Sequence, residues 1–188
     1  MSLKYAILGF LNIRPFSGYD LWKMFSGSVN NYWSATHTQI YRTLSELAAE
    51  NMVETETIQQ HLSPNKKVYS LTETGKKDLL NWLSTPLEPG AVRDKFLVQF
   101  SFSGNIEPKD VIHNLEEYIK SIEVKLNDLK SGQHKEFIKF ARSEQEKFLW
   151  SKTLEHGIWS YESELKWLRD CLSTYKDLFG KSTETENS

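Results

Sequence analysis

The chain has 188 residues, of which 39% are hydrophobic and 26% are charged, and its formal net charge is −2. That length suffices for a buried core in one large domain or in two small ones. No apolar run approaches the roughly 20 residues that a membrane span requires. The single cysteine, Cys171, excludes an internal disulfide framework and any multi-cysteine zinc site. The composition therefore indicates a cytoplasmic protein with no membrane partner.

Charge is distributed slightly unevenly between the two halves of the chain. Residues 1–85 carry 8 Lys and Arg against 7 Asp and Glu, a net charge of +1, and residues 86–188 carry 15 against 18, a net charge of −3. A DNA-binding protein needs only a local basic face. The asymmetry favours the N-terminal half as the place for a nucleic-acid contact.

Two short helices are predicted at the start of the chain. Apolar residues repeat every three or four positions from Leu3 to Leu11, which predicts a first core helix. Ser17 is the predicted N-cap of a second helix, with Asp20 three residues further on and a stop at Gly27. The pair Tyr32-Trp33 then reads as an aromatic plug that leads into the next helix.

A third helix with well-marked ends is predicted from Thr36 to Met52. Thr36 and Gln39 have the spacing of a capping box, and Asn51 tolerates the left-handed conformation that closes a helix. One side of this helix is apolar. The outward residues of its first two turns are of types that address base edges and phosphates, namely Thr38, Gln39 and Arg42, with Tyr41 at the boundary. A solvated surface helix has the same pattern, so the helix alone leaves both alternatives open.

A β-hairpin and a fourth helix are predicted to follow. Val53 to Gln60 and Lys66 to Leu71 have strand-like composition and flank a Ser-Pro-Asn turn, and Thr72 can cap the next helix. Three helices, a hairpin and a further helix within residues 1–85 form the order of a winged helix-turn-helix, whose third helix enters the major groove. Lys66 and Lys67 would then contact DNA phosphates, although adjacent lysines in a turn can equally be only solvated.

The C-terminal half is predicted to be helical. Residues 86–105 form a linker with a short connecting helix, residues 106–180 form a helical domain, and the polar tail 181–188 is expected to be disordered. Two heptad seams predict an antiparallel, coiled-coil-like pair of helices. The seams are Ile112, Leu115, Ile119, Ile122, Leu126 and Leu129, and Leu154, Ile158, Tyr161, Leu165, Leu168, Leu172, Tyr175 and Phe179. Tryptophans outside the second seam indicate a partner chain, so this domain is interpreted as a dimerisation domain.

Four segments of the N-terminal half resemble a known family in their order and spacing. They are Tyr5-Ala6-Ile7-Leu8-Gly9, Ser17-Gly18-Tyr19-Asp20-Leu21, Gln39-Ile40-Tyr41-Arg42-Thr43-Leu44, and Lys67-Val68-Tyr69-Ser70-Leu71-Thr72-Glu73-Thr74-Gly75. These segments resemble the PadR family of bacterial transcriptional regulators. The C-terminal half, at Leu154-Glu155-His156-Gly157-Ile158 and Trp167-Leu168, resembles the helical dimerisation domain of the longer PadR subfamily, which is related to a virulence-gene activator.

The resemblance implies a cytoplasmic homodimer that binds a pseudo-palindromic double-stranded DNA operator, most often as a repressor. The family's recognition-helix face falls on Thr38, Gln39, Tyr41 and Arg42, and its wing falls on Lys66 and Lys67. The chain departs from the family pattern at Asn51, where glycine is usual, and asparagine tolerates the same backbone. Its wing tip is also less basic than that of many DNA-binding wings.

The residue patterns do not indicate an enzyme, a metal site or a cofactor. The histidines are scattered without an i, i+4 pair, and no glycine-rich phosphate loop or nucleophile elbow is present. His37 falls on the apolar side of the third helix and is expected to pack or to cap there.

The aromatic residues leave two interpretations open. The 6 Trp, 8 Tyr and 10 Phe could line a pocket for a small apolar or phenolic effector, with Phe96, Phe100, Trp150 and Trp159 as candidate walls, or they could be plain core. The competing function for the whole chain is a winged-helix protein-interaction module without specific DNA binding.

Overall fold

The computed structural model describes residues 2–26, 34–59, 65–90, 93–131 and 138–180. The chain divides into two compact units, one of Met1–Glu88 with Lys139–Ala141 and one of Pro89–Ile138 with Arg142–Ser188. The predicted aromatic plug Tyr32-Trp33, most of the hairpin turn and the tail lie outside the described residues. Within the described ranges, no helix combines the length and the apolarity that crossing a membrane requires.

The first unit has the winged helix-turn-helix order that the sequence predicts. Its elements are α1 (Ser2–Leu11), β1 (Phe16–Ser17), α2 (Gly18–Ser26), α3 (His37–Ala49), β2 (Val53–Ile58), β3 (Lys66–Leu71) and α4 (Glu73–Ser84). The strands form an antiparallel sheet in the order β1-β3-β2. The hairpin of β2 and β3 was predicted, but β1 was missed because two residues are too short to display a period-two pattern.

The core of the first unit collects apolar side chains from every one of its elements. The buried residues are Ile7, Leu8, Phe10, Leu11, Phe16, Leu21, Phe25, Ile40, Leu44, Leu47, Val53, Tyr69 and Leu79. Removing a Leu, Ile or Phe side chain from water stabilises a fold by about 1.5–3 kcal/mol. The three residues that α3 contributes, Ile40, Leu44 and Leu47, fix which side of that helix is left for solvent.

A tight junction joins the end of α3 to the start of α4. Asn51 has a φ of 55°, the left-handed conformation expected of it. The backbone nitrogen of Thr72 donates to the carbonyl of Met52 at 3.2 Å, and the Thr72 hydroxyl donates to the carbonyl of Asn51 at 2.8 Å. A Cβ at Gly75 would lie 2.1 Å from the Met52 carbonyl oxygen, so only glycine fits there. This junction sets the direction in which the wing leaves α3.

Within its described residues, the second unit contains α5 (Lys95–Phe102), a short 3-10 helix (Ser103–Asn105), α6 (Pro108–Lys130) and α7 (Glu144–Phe179). Helices α6 and α7 pack along the predicted seams, with a buried core of Val111, Leu115, Ile119, Ile122, Leu126, Leu165 and Leu168. The second seam is buried only in part, because Leu154 is half-buried outside this core and Phe179 is exposed. The first seam position was predicted one residue late, because Val111 is buried and Ile112 is half-buried. The 23-residue α6 and the 36-residue α7 confirm the mainly helical class predicted for this half.

Three ion pairs cross between α6 and α7. They join Glu116 to Lys176 at 2.6 Å, Glu123 to Arg169 at 2.6 Å, and Lys130 to Glu162 at 2.7 Å. Each step along this row advances seven residues on α6 and goes back seven residues on α7, so the helices run antiparallel in a single heptad register. The third pair has the opposite polarity to the first two.

This register leaves the N-terminal half of α7 without α6 opposite it. Lys130, the last residue of α6, pairs with Glu162, which lies in the middle of the 36-residue α7. The preceding part of α7 exposes large apolar side chains, with Phe148 60%, Leu149 52% and Trp159 62% exposed. Such a row is unusual on the surface of a single soluble chain and marks a surface for association.

Candidate nucleic-acid interface

The start of α3 is held by a complete capping box. The backbone nitrogen of Gln39 donates to the Thr36 hydroxyl at 3.2 Å, and the backbone nitrogen of Thr36 donates to Oε1 of the Gln39 side chain at 2.8 Å. The capping box predicted from the sequence is therefore confirmed. Since Oε1 of Gln39 is engaged in the cap, its amide nitrogen is the group that remains to donate outward.

The outward face of α3 carries the residues that the sequence placed there. Thr38, Gln39 and Arg42 are exposed, and Tyr41 lies at the boundary, with 36% of its surface accessible. His37 was predicted on the inward side, and this was wrong, since its side chain is exposed. The predicted packing of His37 is present all the same, because its ring lies 5.8 Å from that of Trp22 and 4.4 Å from that of Tyr41.

Arg42 is oriented by an acidic residue of its own helix. Its Nε donates to Oε1 of Glu46 at 2.9 Å, one turn later. Both side chains are largely exposed, so the pair adds little to stability. The bond occupies Nε and leaves the terminal nitrogens of the guanidinium as donors. Two such nitrogens can bind O6 and N7 of a guanine together.

Tyr41 is enclosed on several sides by other parts of the first unit. Its ring lies against Gly18 at the start of α2 and against His37 on α3. Burial first, and the nearby Tyr41 second, raise the pKa of Tyr69 on β3. Tyr41 thus links the recognition helix to the start of α2.

The two wing lysines lie in different environments, although they are adjacent in sequence. Lys66 forms an ion pair with Asp20 on α2 at 2.7 Å. Hydrogen bonds from Lys66, and second from Ser17, hold the pKa of Asp20 below its ordinary value. Lys67 is exposed, and its amine lies 5.4 Å from the ring centre of Tyr69. Successive side chains of a strand point to opposite faces, so only Lys67 shares the face of Tyr69.

Two of the four predicted effector residues belong to one aromatic cluster in the second unit. Phe96 stacks on Phe100 at 5.7 Å and on Tyr118 at 3.8 Å, and Trp167 meets both phenylalanines edge-on. A cleft of about 200 Å³ lies beside these rings, between α5 and α6. Its lining residues are Phe96, Gln99, Phe100, Ser103, Val111, Asn114, Leu115, Glu117, Tyr118 and Ser121.

The other two predicted effector residues do not line this cleft. Trp150 is half-buried and Trp159 is exposed, both on the N-terminal half of α7. Trp159 precedes Trp167 by two helical turns, about 12 Å along the axis.

Among the described residues, no group of three or more His, Cys, Asp or Glu side chains is placed to hold a metal ion.

The sequence did not place three residues at this surface that help to shape it, namely Gly18, Asp20 and Glu46. The i, i+4 spacing of Arg42 and Glu46 is a signal that could have revealed their ion pair. The contacts of Gly18 with Tyr41 and of Asp20 with Lys66 join distant parts of the chain, and no local pattern encodes them.

Two family models together match most of the chain. The Transcriptional regulator PadR-like family matches residues 7–81, and the Virulence activator alpha C-term model matches residues 92–176. A curated relative, the Negative transcriptional regulator PadR of Bacillus subtilis, is 34% identical over 135 residues, which are 71% of this chain and 74% of the relative.

Solved structures of Bacillus subtilis PadR share the fold. Its complex with operator DNA has a TM-score of 0.77 and 29% identity, and covers 93% of this chain and 99% of the PadR chain. Its complex with p-coumaric acid has a TM-score of 0.72 and 28% identity, and covers 94% of this chain and 99% of the PadR chain. On the evidence of its two matched halves and of this relative, the chain belongs to the PadR-like family of transcriptional regulators.

Proposed function

We propose that the protein is a cytoplasmic transcriptional repressor that binds a pseudo-palindromic operator as a homodimer. The observation that carries this proposal is the outward face of α3, whose apolar side is buried while Thr38, Gln39 and Arg42 stand in solvent. Membership of the PadR-like family supports it, as does the likeness to PadR of Bacillus subtilis in complex with operator DNA.

Each side chain of the proposed interface has a distinct part. The Arg42 guanidinium would read a guanine edge, and Thr38 and the Gln39 amide nitrogen would contact neighbouring bases or phosphates. Lys67 would meet a phosphate from the wing. Lys66 also belongs to the proposed surface, but its charge is already compensated by Asp20.

The homodimer would form through the C-terminal helices. The N-terminal half of α7 supplies the surface, because it exposes Phe148, Leu149 and Trp159 beyond the end of α6. Two copies of this surface can cover each other about a two-fold axis. The dimer would then place two α3 helices about one turn of DNA apart, roughly 34 to 36 Å.

Binding to DNA is tested by selecting sequences from random DNA with the full chain and titrating the selected operator. Arg42→Ala should lose about 1–3 kcal/mol of binding free energy and accept other bases at one position of each half-site. Lys125→Ala, an exposed charge removed from α6, is the matched control and should bind as the parent does. Equal affinity of Arg42→Ala and the parent for the selected site would remove Arg42 from the interface.

Failure of the parent to be retained on DNA at low salt would favour a protein-interaction module instead.

We further propose that a small apolar or phenolic effector releases the operator. Phe96, Phe100, Trp150 and Trp159 remain the candidate wall residues, and the described cleft contains only the first two. Support comes from the likeness to Bacillus subtilis PadR in complex with p-coumaric acid.

The cleft between α5 and α6 favours an uncharged effector. Phe96, Phe100 and Tyr118 offer flat ring surfaces, and no Lys or Arg is among the lining residues. Among the described lining residues the one carboxylate, Glu117, is already paired with Lys120 at 2.7 Å, so the cleft offers no unpaired cation to an anionic ligand. Burial first, and then the carboxylates of Asp94 and Glu164, raise the pKa of Tyr118.

The charge preference is tested by comparing p-coumaric acid, an anion at neutral pH, with its uncharged amide. The amide should release the selected operator at the lower concentration, as measured by loss of the DNA complex. Phe100→Ala should weaken the response to the amide. Stronger release by the acid would place the effector site elsewhere.

A further inference from the structure

Gly18, the first residue of α2, is covered by the side chain of Tyr41. It is buried, and a Cβ added to it would lie 2.6 Å from Cζ, 2.7 Å from Cε1 and 2.8 Å from the hydroxyl oxygen of Tyr41. All three distances are too short for any real carbon. The Tyr41 ring therefore occupies the space that a side chain at position 18 would fill.

The other described ring contacts of Tyr41 lie on the same side of the first unit. The His37 ring lies 4.4 Å away between centroids and itself contacts Trp22 on α2 at 5.8 Å. Because 36% of the Tyr41 surface is accessible, a Cβ at Gly18 would push the ring outward from α2 or would push α3 away from α2.

The position of Tyr41 along α3 connects this contact to DNA reading. Tyr41 lies one turn after Thr38 and directly before Arg42, both on the proposed reading face. A displaced Tyr41 ring would therefore change the surface that α3 presents beside Thr38 and Arg42. A base contact through a guanidinium depends on the direction of that group, whereas a phosphate contact through a lysine depends mainly on charge.

We propose that Gly18 is a positioning residue for operator recognition. By lacking a side chain it seats Tyr41 on the start of α2, and this fixes the place of the Tyr41 ring beside the reading face of α3. The inference rests on the proposed function, because it concerns how α3 is presented to DNA. Gly18 itself need not touch DNA.

The test is Gly18→Ala in the full chain, with Gly9→Ala as the matched control, since a Cβ at Gly9 meets nothing within 4 Å. Affinity for the selected operator should fall about tenfold or more in Gly18→Ala. Affinity for an unrelated DNA of equal length, and its salt dependence, should stay at the parent's values because the phosphate-contacting charges are unchanged. Gly9→Ala should match the parent on both DNAs.

A double-variant cycle with Tyr41→Ala separates positioning from general damage. Once the ring is absent, an alanine at position 18 has nothing to displace, so Gly18→Ala should cause no further loss in the Tyr41→Ala background. The midpoint of thermal unfolding should show the same coupling, which provides a readout that does not depend on DNA. An equal loss from Gly18→Ala in both backgrounds, or no loss in the parent, would overturn the inference. A parent chain with no preferred operator would overturn the proposed function itself, whether or not the thermal coupling is found.

Discussion

Lys66 and Lys67 are neighbours in the chain, yet the structure gives them different partners. Lys66 is paired with Asp20 on α2 at 2.7 Å, whereas Lys67 is exposed and its amine lies 5.4 Å from the ring centre of Tyr69. A lysine that is already paired releases fewer DNA counterions when it reaches a phosphate. The two lysines should therefore contribute unequally to binding.

The salt dependence of binding separates the two lysines. Lys67→Ala should weaken binding to all sequences alike and reduce the slope of log K against log salt by about 1. Lys66→Ala should reduce the slope by less, because Asp20 already balances its charge. Fluorescence anisotropy of a labelled operator over a range of salt concentrations measures both slopes. Equal reductions would show that the Asp20–Lys66 pair opens freely on DNA.

Residues whose role is local were predictable from the sequence, and residues whose role depends on distant contacts were not. Thr36, Gln39 and Asn51 act within one or two turns of their own helix, so spacing and residue type identify them. Gly18 and Asp20 owe their roles to Tyr41 and Lys66, which reach them only through the tertiary fold.

Among the elements, the antiparallel pair of α6 and α7 has a register that charges as well as apolar residues specify. Glu116 and Glu123 on α6 face Lys176 and Arg169, but Lys130 on α6 faces Glu162. Sliding the helices by one heptad in either direction would bring two like charges together. The reversed polarity of the third pair therefore disfavours the registers that are shifted by one heptad.

A charge-reversal cycle tests this row of ion pairs. Glu123→Lys should lower the free energy of unfolding of the chain because two cations then face each other, and the double variant with Arg169→Glu should recover most of the loss. Exposed pairs of this kind are worth about 0.2–1 kcal/mol. Denaturant unfolding of the parent, the two single variants and the double variant gives the coupling. Additive effects of the two reversals would mean that the pair does not act on the register.

The sequence predicted elements well where a pattern repeats and poorly where it is short. Both seams extend over several heptads, so two misplaced positions, Ile112 for Val111 and the exposed Phe179, left the helix pairing correct. The strand Phe16–Ser17 has two residues and forms only because β3 offers it an edge, at Phe16 opposite Tyr69 and Ser17 opposite Val68. Such a strand forms only once β3 is in place, so the local sequence does not predict it.

At the scale of the whole molecule, the proposed recognition surface and the proposed association surface lie in different units of the chain. The first is the outward face of α3 with Lys66 and Lys67, and the second is the N-terminal half of α7. One α3 would reach only half of a pseudo-palindromic site, so affinity for the whole site would depend on joining two chains. Tryptophans outside the second seam indicated that α7 needs a partner, but only the ion-pair register with α6 shows which half of α7 extends beyond α6.

The association surface is tested by placing a charge in its middle. Trp159→Glu, combined with Phe148→Glu, should shift the chain from dimer to monomer, because a carboxylate buried without a partner opposes association. Sedimentation equilibrium measures the mass, and circular dichroism confirms that the helices remain. Lys166→Glu alters an exposed charge on the half of α7 that faces α6, and should leave the dimer intact. The double variant should lose most of its affinity for a full operator while it binds a half-site as weakly as the parent does. If it remains a dimer, the two copies meet through another surface, and the N-terminal half of α7 binds a different partner.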